Sequence, residues 1–227
     1  MAIQRADRWA DEPRIDAREK VTGAAKYVED LPDLPGMAYA ANLLSPYSHA
    51  RILSIDSSQA ERLPGVLAVL HRDRLESLDP TLLAPRHEFW KLTNDQTFIA
   101  IDKVRFNGEL VASVAAEDLR TARRAVELIR VECEELPAVF DAEEALGPAA
   151  PIIHESKGTN LLLEDKVEWG DVEQGFNEAD RVFEEVYTSP SMFHHPMENV
   201  GSCVAQFVGD EVSLWSPTTS PVRDAQE

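Results

Sequence analysis

Cysteine is scarce: Cys133 and Cys203 are the only two in 227 residues, and they lie far apart in no metal-ligand spacing. That excludes a disulfide framework and a structural zinc centre, and each cysteine is expected as a small buried apolar residue. Basic charge is scarce as well. Lys+Arg 22 against Asp+Glu 41 leaves a net charge of −19. A chain this acidic is repelled by phosphate backbones and anionic lipid, which excludes nucleic acid as its partner. Long apolar runs are missing, and none approaches the ~20 residues of a membrane helix. The opening MAIQRADRWADEPRIDAR carries charges throughout and has no apolar h-region, so no secretory leader, no membrane and a cytoplasmic location are expected. Glycine-rich phosphate loops are absent too, since neither GxGxxG nor GxxxxGK occurs.

What is present is a globular composition, 44% hydrophobic and 28% charged. It is long enough for one large domain or two small ones without covalent staples. The stretch to about Lys26 is polar and reads as an extended arm. Met37–Leu44, Arg51–Ile55 and Val66–Leu70 read as strands, with a short helix after Asp56 that stops before Pro64-Gly65. Residues 71–96, interrupted by Pro80 and Pro85, read as a long surface loop or lid. Asn107-Gly108 is the strongest local turn signal and predicts a hairpin from Phe98–Phe106 into Glu109–Ala115. Glu117–Arg130 is the clearest helix: Leu119, Ala122, Val126 and Ile129 share one face, and Arg120, Arg123, Arg124 and Glu127 lie off it. Val131–Glu135 completes a mixed α+β region.

Residues 137–160, with Gly147, Pro148, Pro151 and Gly158, read as a covering linker. Beyond them the composition turns acidic, with nine acids against Lys166 and Arg181 between Leu161 and Tyr187. A helix is predicted over Asp171–Ala179 and a strand with an acidic stripe over Arg181–Thr188. A second hairpin is predicted about Gly209-Asp210. Of the chemically able clusters, His194-His195-Pro196-Met197-Glu198 is the densest. Pro196 breaks the helix that an i, i+4 zinc pair needs, and no distant third ligand stands out. Ser189, Ser191 and the serines of 216–220 lack the glycine-flanked elbow of a hydrolase nucleophile. No pair of acids is placed by spacing as an acid/base couple.

Three blocks nevertheless share one pattern. The first is Arg14-Ile-Asp16-Ala-Arg-Glu-Lys20-Val-Thr22-Gly23-Ala-Ala-Lys26-Tyr27-Val-Glu-Asp30. The second runs from Pro35-Gly36-Met37 through Leu44-Ser45-Pro46-Tyr47-Ser48-His49-Ala50-Arg51-Ile52. The third is Val104-Arg-Phe-Asn107-Gly108-Glu109-Leu-Val-Ala112 and the helix that follows. In order and spacing they resemble the N-terminal region of the molybdenum-binding large subunit of the xanthine dehydrogenase/aldehyde oxidase family, its a/b hammerhead domain. His195-Pro196-Met197-Glu198 and Leu214-Trp215-Ser216-Pro217-Thr218-Thr219-Ser220-Pro221 resemble the opening of that family's molybdopterin-binding domain.

The resemblance implies an α+β fold: an arm (1–27), the hammerhead domain (28–136), a linker (137–160) and an incomplete start of the molybdopterin-binding domain (161–227). It implies the N-terminal part, or a split subunit, of a molybdenum hydroxylase. Such an oxidoreductase hydroxylates an aldehyde or N-heterocycle with water-derived oxygen, passing hydride to molybdenum. Molybdenum-molybdopterin is the implied cofactor of the complete assembly, with iron–sulfur clusters and FAD on partner subunits; this chain holds none alone. Implied partners are the remainder of the subunit, an iron–sulfur subunit and an FAD subunit. No catalytic or metal residue is implied here, because the family's glycine-rich pterin segments and its base Glu belong to later segments. The one implied cofactor contact is Thr219, standing where the family carries a Gln beside the metal; threonine is shorter and offers no amide donor. Asn199 stands where Pro commonly follows Met-Glu. A non-catalytic assembly module retaining the hammerhead fold is the alternative, and Thr219 and the absent base suit it.

Overall fold

The structure is a computed structural model and describes residues 14–79, 97–199 and 201–224. The chain forms a unit of Pro35–Glu178 and a second built from Met1–Leu34 together with Ala179–Glu227.

Two antiparallel sheets form the first unit. In one, β5 (Leu110–Ala116) runs between β1 (Tyr39–Leu44) and β3 (Val66–Leu70). In the other, β2 (Ala50–Asp56) runs between β4 (Lys103–Val104) and β6 (Arg130–Glu135). Strand β1 alternates half-buried and exposed residues, as a strand with one solvated face must. The central strand β5 is apolar on both faces, and Ala112, Val114 and Ala116 are fully buried. Helix α4 (Leu119–Val126) packs across β1 and β5 and buries Ala122 and Ala125. Its N-terminus is capped by Asp118, which accepts from Thr121 N at 2.9 Å and Thr121 Oγ1 at 2.7 Å.

The two cores are contiguous. Ala60, Val69, Ala112, Val114, Ala125 and Ile129 make one cluster; Ala50, Ile52, Ala100, Val104 and Val111 make the other. Ile55 of β2 and Val131 of β6 pack against both. The α+β architecture expected from the sequence is therefore present, with four corrections.

First, residues 71–78 are not loop: α3 (Arg72–Leu78) follows His71 and buries Leu75, while residues 80–96 lie outside the described residues. Second, the Asn107-Gly108 turn exists, with Gly108 at φ +90°, but joins no hairpin, because β4 pairs with β2 and β5 with β1 and β3. Hydrogen bonds from Gly108 N to Ser45 O (2.8 Å) and from Asn107 Nδ2 to Pro46 O (2.8 Å) dock the turn on the end of β1. A glycine-permitted φ lets the chain change sheets there. Third, the arm carries a helix. Asp16 precedes α1 (Ala17–Thr22) and binds Arg14 Nε at 2.6 Å and Lys20 Nζ at 2.7 Å. These two cations hold its carboxyl down at about 2, the Lys20 bond contributing most. Gly23, left-handed at φ +74°, closes the last turn. The Arg14-x-Asp16-x-x-x-Lys20-x-Thr22-Gly23 pattern is thus a stapled single helix.

The fourth correction concerns the stretch read as a linker, which is structured. Asp141 caps α5 (Ala142–Ala145), and the Asn160 amide bridges Ile153 N, Ala145 O and Pro151 O at 2.9–3.0 Å. Lys103 holds it from below. Its ammonium, on a residue 2% exposed, donates to Glu155 Oε1 at 2.6 Å and to His49 Nε2 at 2.9 Å. Because an ammonium only donates, His49 Nε2 accepts and the imidazole proton sits on Nδ1, donated to Pro137 O at 2.6 Å. Lys103→Met keeps the stem but strands a buried acceptor on His49. It should lower unfolding free energy by about 1–3 kcal/mol in urea titration, and an unchanged midpoint would remove Lys103 from the framework.

Candidate functional site

The cluster His194–Glu198 lies in the second unit on an irregular segment. His195 holds φ +45°, a left-handed conformation that non-glycine residues adopt rarely and at a cost. Phe193 meets the His195 ring edge-on, centroids 5.0 Å apart, and tilts against His194 at 5.1 Å. Both imidazoles are exposed. Among the described residues no group of three His, Cys, Asp or Glu side chains is arranged to hold a metal ion.

Glu198 is instead engaged by the arm. Tyr27 N donates to Asp30 Oδ2 at 3.0 Å and closes a 3-10 turn over Val28–Asp30. Val28 N then donates to Glu198 Oε1 at 3.2 Å. On the same turn, Glu29 accepts from Asn199 Nδ2 at 2.9 and 3.0 Å and from Ser202 Oγ at 2.7 Å. These bonds, the Ser202 one foremost, hold the Glu29 carboxyl below its ordinary range. Asn199 thus fills a role that proline in its place has no donor to fill. Nothing in the local sequence signals this contact across some 170 residues; the only hint is that Tyr27–Asp30 belongs to the first resembling block.

From Ser202 the chain enters β7 (Val204–Val208), turns at Gly209 (φ +62°) and returns in β8 (Glu211–Trp215), Phe207 opposite Val212. This second hairpin is where the sequence places it. Ser216–Ser220 follows, where Ser220 N donates to Thr218 Oγ1 at 2.9 Å, and then α7 (Pro221–Asp224). Thr219 is exposed, and among the described residues no hydrogen bond engages its hydroxyl. Arg181–Thr188 forms no strand: lacking a neighbour to complete a ladder, its Val182, Phe183, Val186 and Tyr187 all face solvent. Cys203, expected buried, is exposed on the way into β7, whereas Cys133 packs against the second core cluster.

A second polar cluster sits in the Pro35–Glu178 unit. Ser57 Oγ lies 2.6 Å from Glu61 Oε1 and 3.1 Å from His71 Nε2, and His71 Nδ1 lies 3.6 Å from Asp73. The order Ser–His–Asp suggests a nucleophile, but the protons are placed otherwise. Glu61 is kept ionised by Arg74, bonded at 2.5 and 2.6 Å, so the short bond takes the serine proton. His71 Nε2 therefore donates to Ser57, so the imidazole is not placed as the base of a serine nucleophile, and the hydroxyl donates to the ion-paired Glu61 carboxylate. The cluster is a local hydrogen-bond network linking Ser57 and Glu61 to His71 and Arg74, in keeping with the absence of a hydrolase elbow.

The sequence of residues 22–137 matches the family model described as aldehyde oxidase and xanthine dehydrogenase, a/b hammerhead domain. The chain belongs to the aldehyde oxidase and xanthine dehydrogenase family. Residues 153–226 match the model of the family's molybdopterin cofactor-binding domain, so the His194–Glu198 and Ser216–Ser220 segments fall within it. The chain is 35% identical to the xanthine dehydrogenase molybdenum-binding subunit of Escherichia coli O157:H7 over 92% of its own length. Among solved structures it is similar to quinoline 2-oxidoreductase from Pseudomonas putida 86, at TM-score 0.57 and 35% identity, over 67% of this chain and 19% of that one. It is likewise similar to the aldehyde oxidoreductase from Desulfovibrio gigas, at TM-score 0.59 and 30% identity, over 74% and 19%. The chain spans 27–28% of the length of the curated relatives it matches first.

In the segment that holds the expected cofactor contact, Ser216, Thr218 and Thr219 are exposed and their hydroxyls are of a kind that could donate to a cofactor, whereas no glycine-rich loop accompanies them.

His71 yields a prediction. Burial pushes its imidazole below the ordinary value, so the native state favours the neutral form. The unfolded chain takes up the proton first, and stability should fall as pH drops from about 6.5 toward the lower native value. Urea midpoints between pH 7.5 and 5 should show this decline in the parent and a shallower one in His71→Gln; parallel slopes would refute it.

Proposed function

We propose that this chain is the N-terminal part of the molybdopterin-binding subunit of a molybdenum hydroxylase. Residues 28–136 act as its hammerhead domain, 137–160 as a structured strap, and 161–227 as the opening of its cofactor-binding domain. The observation that carries this, beside the family match, is apolar exposure. Trp169, Phe183, Tyr187 and Met192 are each 82–89% exposed, and Val167, Phe176, Val186, Phe193, Met197 and Phe207 are uncovered with them. A free-standing protein seldom leaves so much large apolar surface in water, and a segment waiting for the rest of its domain does. The alternative is a non-catalytic assembly module, in which that surface would be a docking face; the match of residues 153–226 to a molybdopterin cofactor-binding domain favours the first reading.

Bound molybdenum-molybdopterin would supply two-electron redox chemistry for hydroxylating an aldehyde or N-heterocycle with oxygen from water. Electrons would leave through iron–sulfur and flavin partners. This chain's own part is positional. The β7–β8 hairpin leads directly to Ser216–Ser220, and the Thr219 hydroxyl would donate a hydrogen bond to the bound cofactor. Among the described residues no helix is long and apolar enough to cross a membrane.

The protein purified from its own cells should carry about one molybdenum per chain by elemental analysis, together with iron and flavin. Homogeneous material lacking molybdenum and partners would support the module instead. Thr219→Val, which keeps shape and removes the donor, should lower turnover about tenfold at unchanged unfolding midpoint. Wild-type turnover in a molybdenum-loaded variant would take Thr219 out of the site.

A further inference from the structure

We propose that Glu29 is a positioning residue of the cofactor-binding unit: its carboxylate, held by Asn199 and Ser202, clamps the N-terminal arm onto the root of the hairpin that leads to Thr219. Its effect on cofactor retention rests on the reading proposed above; the clamp does not.

Four donor–acceptor contacts join residues 28–29 to residues 198–202, and each side is prepared by its own local structure. On the arm, the Tyr27 N to Asp30 bond winds the 3-10 turn that carries both the Val28 N–H and the Glu29 carboxylate toward the same segment. The α1 helix just upstream, stapled by Arg14, Asp16 and Lys20, limits the arm's freedom, so docking it costs less entropy than docking a random coil. Tyr27 Oη, beside this turn, is shut off from solvent without a hydrogen-bond partner among the described residues.

On the other side, Ser202 lies two residues before β7, and β7 is in full register with β8, from Val204 opposite Trp215 to Val208 opposite Glu211. Thr219 follows four residues after β8 ends. A shift at the root of the hairpin is therefore carried along paired strands to Ser216–Ser220. The acceptor is a charged carboxylate receiving neutral donors, the stronger class of hydrogen bond. Its ionised form is favoured by the same bonds, so the clamp holds throughout the neutral range.

The test uses residue-level hydrogen exchange on the chain 1–227 and molybdenum retention in the protein purified from its own cells. Glu29→Ala should speed exchange at Val28 and at Ser202–Val208 about tenfold, leaving β1–β6 unchanged. Glu29→Gln, which keeps one acceptor, should recover part of the protection. Asn199→Ala combined with Ser202→Ala should reproduce the effect, and adding Glu29→Ala to that pair should change nothing further. In the loaded protein, Glu29→Ala should lose molybdenum on dialysis several-fold faster than the parent, with Glu29→Gln between. Unchanged exchange would overturn the clamp whatever the molybdenum result. Faster exchange with parental molybdenum retention would overturn the positioning role alone. Parent protein devoid of molybdenum would overturn the molybdopterin reading and with it the positioning role, while exchange still decides the clamp.

Discussion

A single buried charge organises the Pro35–Glu178 unit. The Lys103 ammonium has almost no access to water, and an unpaired ammonium in that position would be too costly to keep. Its partners consequently dictate where three separate stretches of chain must lie. His49, at the entrance to β2, presents Nε2; the other ring nitrogen grips Pro137 O just after β6; and Glu155 closes from the strap beyond. Sheet, sheet exit and strap are tied at one point. The apolar cores on either side contain many small residues, Ala50, Ala60, Ala100, Ala112 and Ala125 among them, and Ile55 and Val131 bridge the two.

The second unit is built on different terms. It buries little apolar surface, and its order comes from polar contacts: the stapled α1 helix, the 3-10 turn at Val28–Asp30, and the Glu29 contacts to Asn199 and Ser202. Hydrogen bonds of this kind add little net stability each, but they are directional and so specify geometry well. That combination, defined geometry with uncovered apolar side chains, suits a segment completed by further protein. It also explains why the chemically able residues His194, His195 and Glu198 make no site of their own. Glu198 is committed to the arm, and the imidazoles sit edge-on and tilted against Phe193 with no third ligand in reach among the described residues.

How legible the protein was in its sequence follows from the range of each signal. Helix α4 is readable because Leu119, Ala122 and Val126 repeat at helical spacing, a local signal, but it spans Leu119–Val126 rather than Glu117–Arg130, since Asp118 caps it and Arg130 already begins β6. The strands of both sheets are readable for the same reason. Asn107-Gly108 shows the limit: turn chemistry requires a reversal but not a partner strand, and the chain leaves β4 in one sheet to enter β5 in the other. Arg181–Thr188 errs the opposite way, since alternation gives strand propensity and no neighbour arrives to complete a ladder.

Sequence alone determined the acidic charge balance, the main strands and helices, and the family, because composition, periodicity and motif spacing are written along the chain. Tertiary structure decided the rest. It paired β4 with β2, buried Lys103 against His49 and Glu155, committed the Ser57 proton to Glu61, and brought Glu29 to Asn199 and Ser202. Each of those contacts joins groups whose meeting depends on how intervening elements pack, and Glu29 and Ser202 are separated by 173 positions. No pattern along the chain encodes a distance in space.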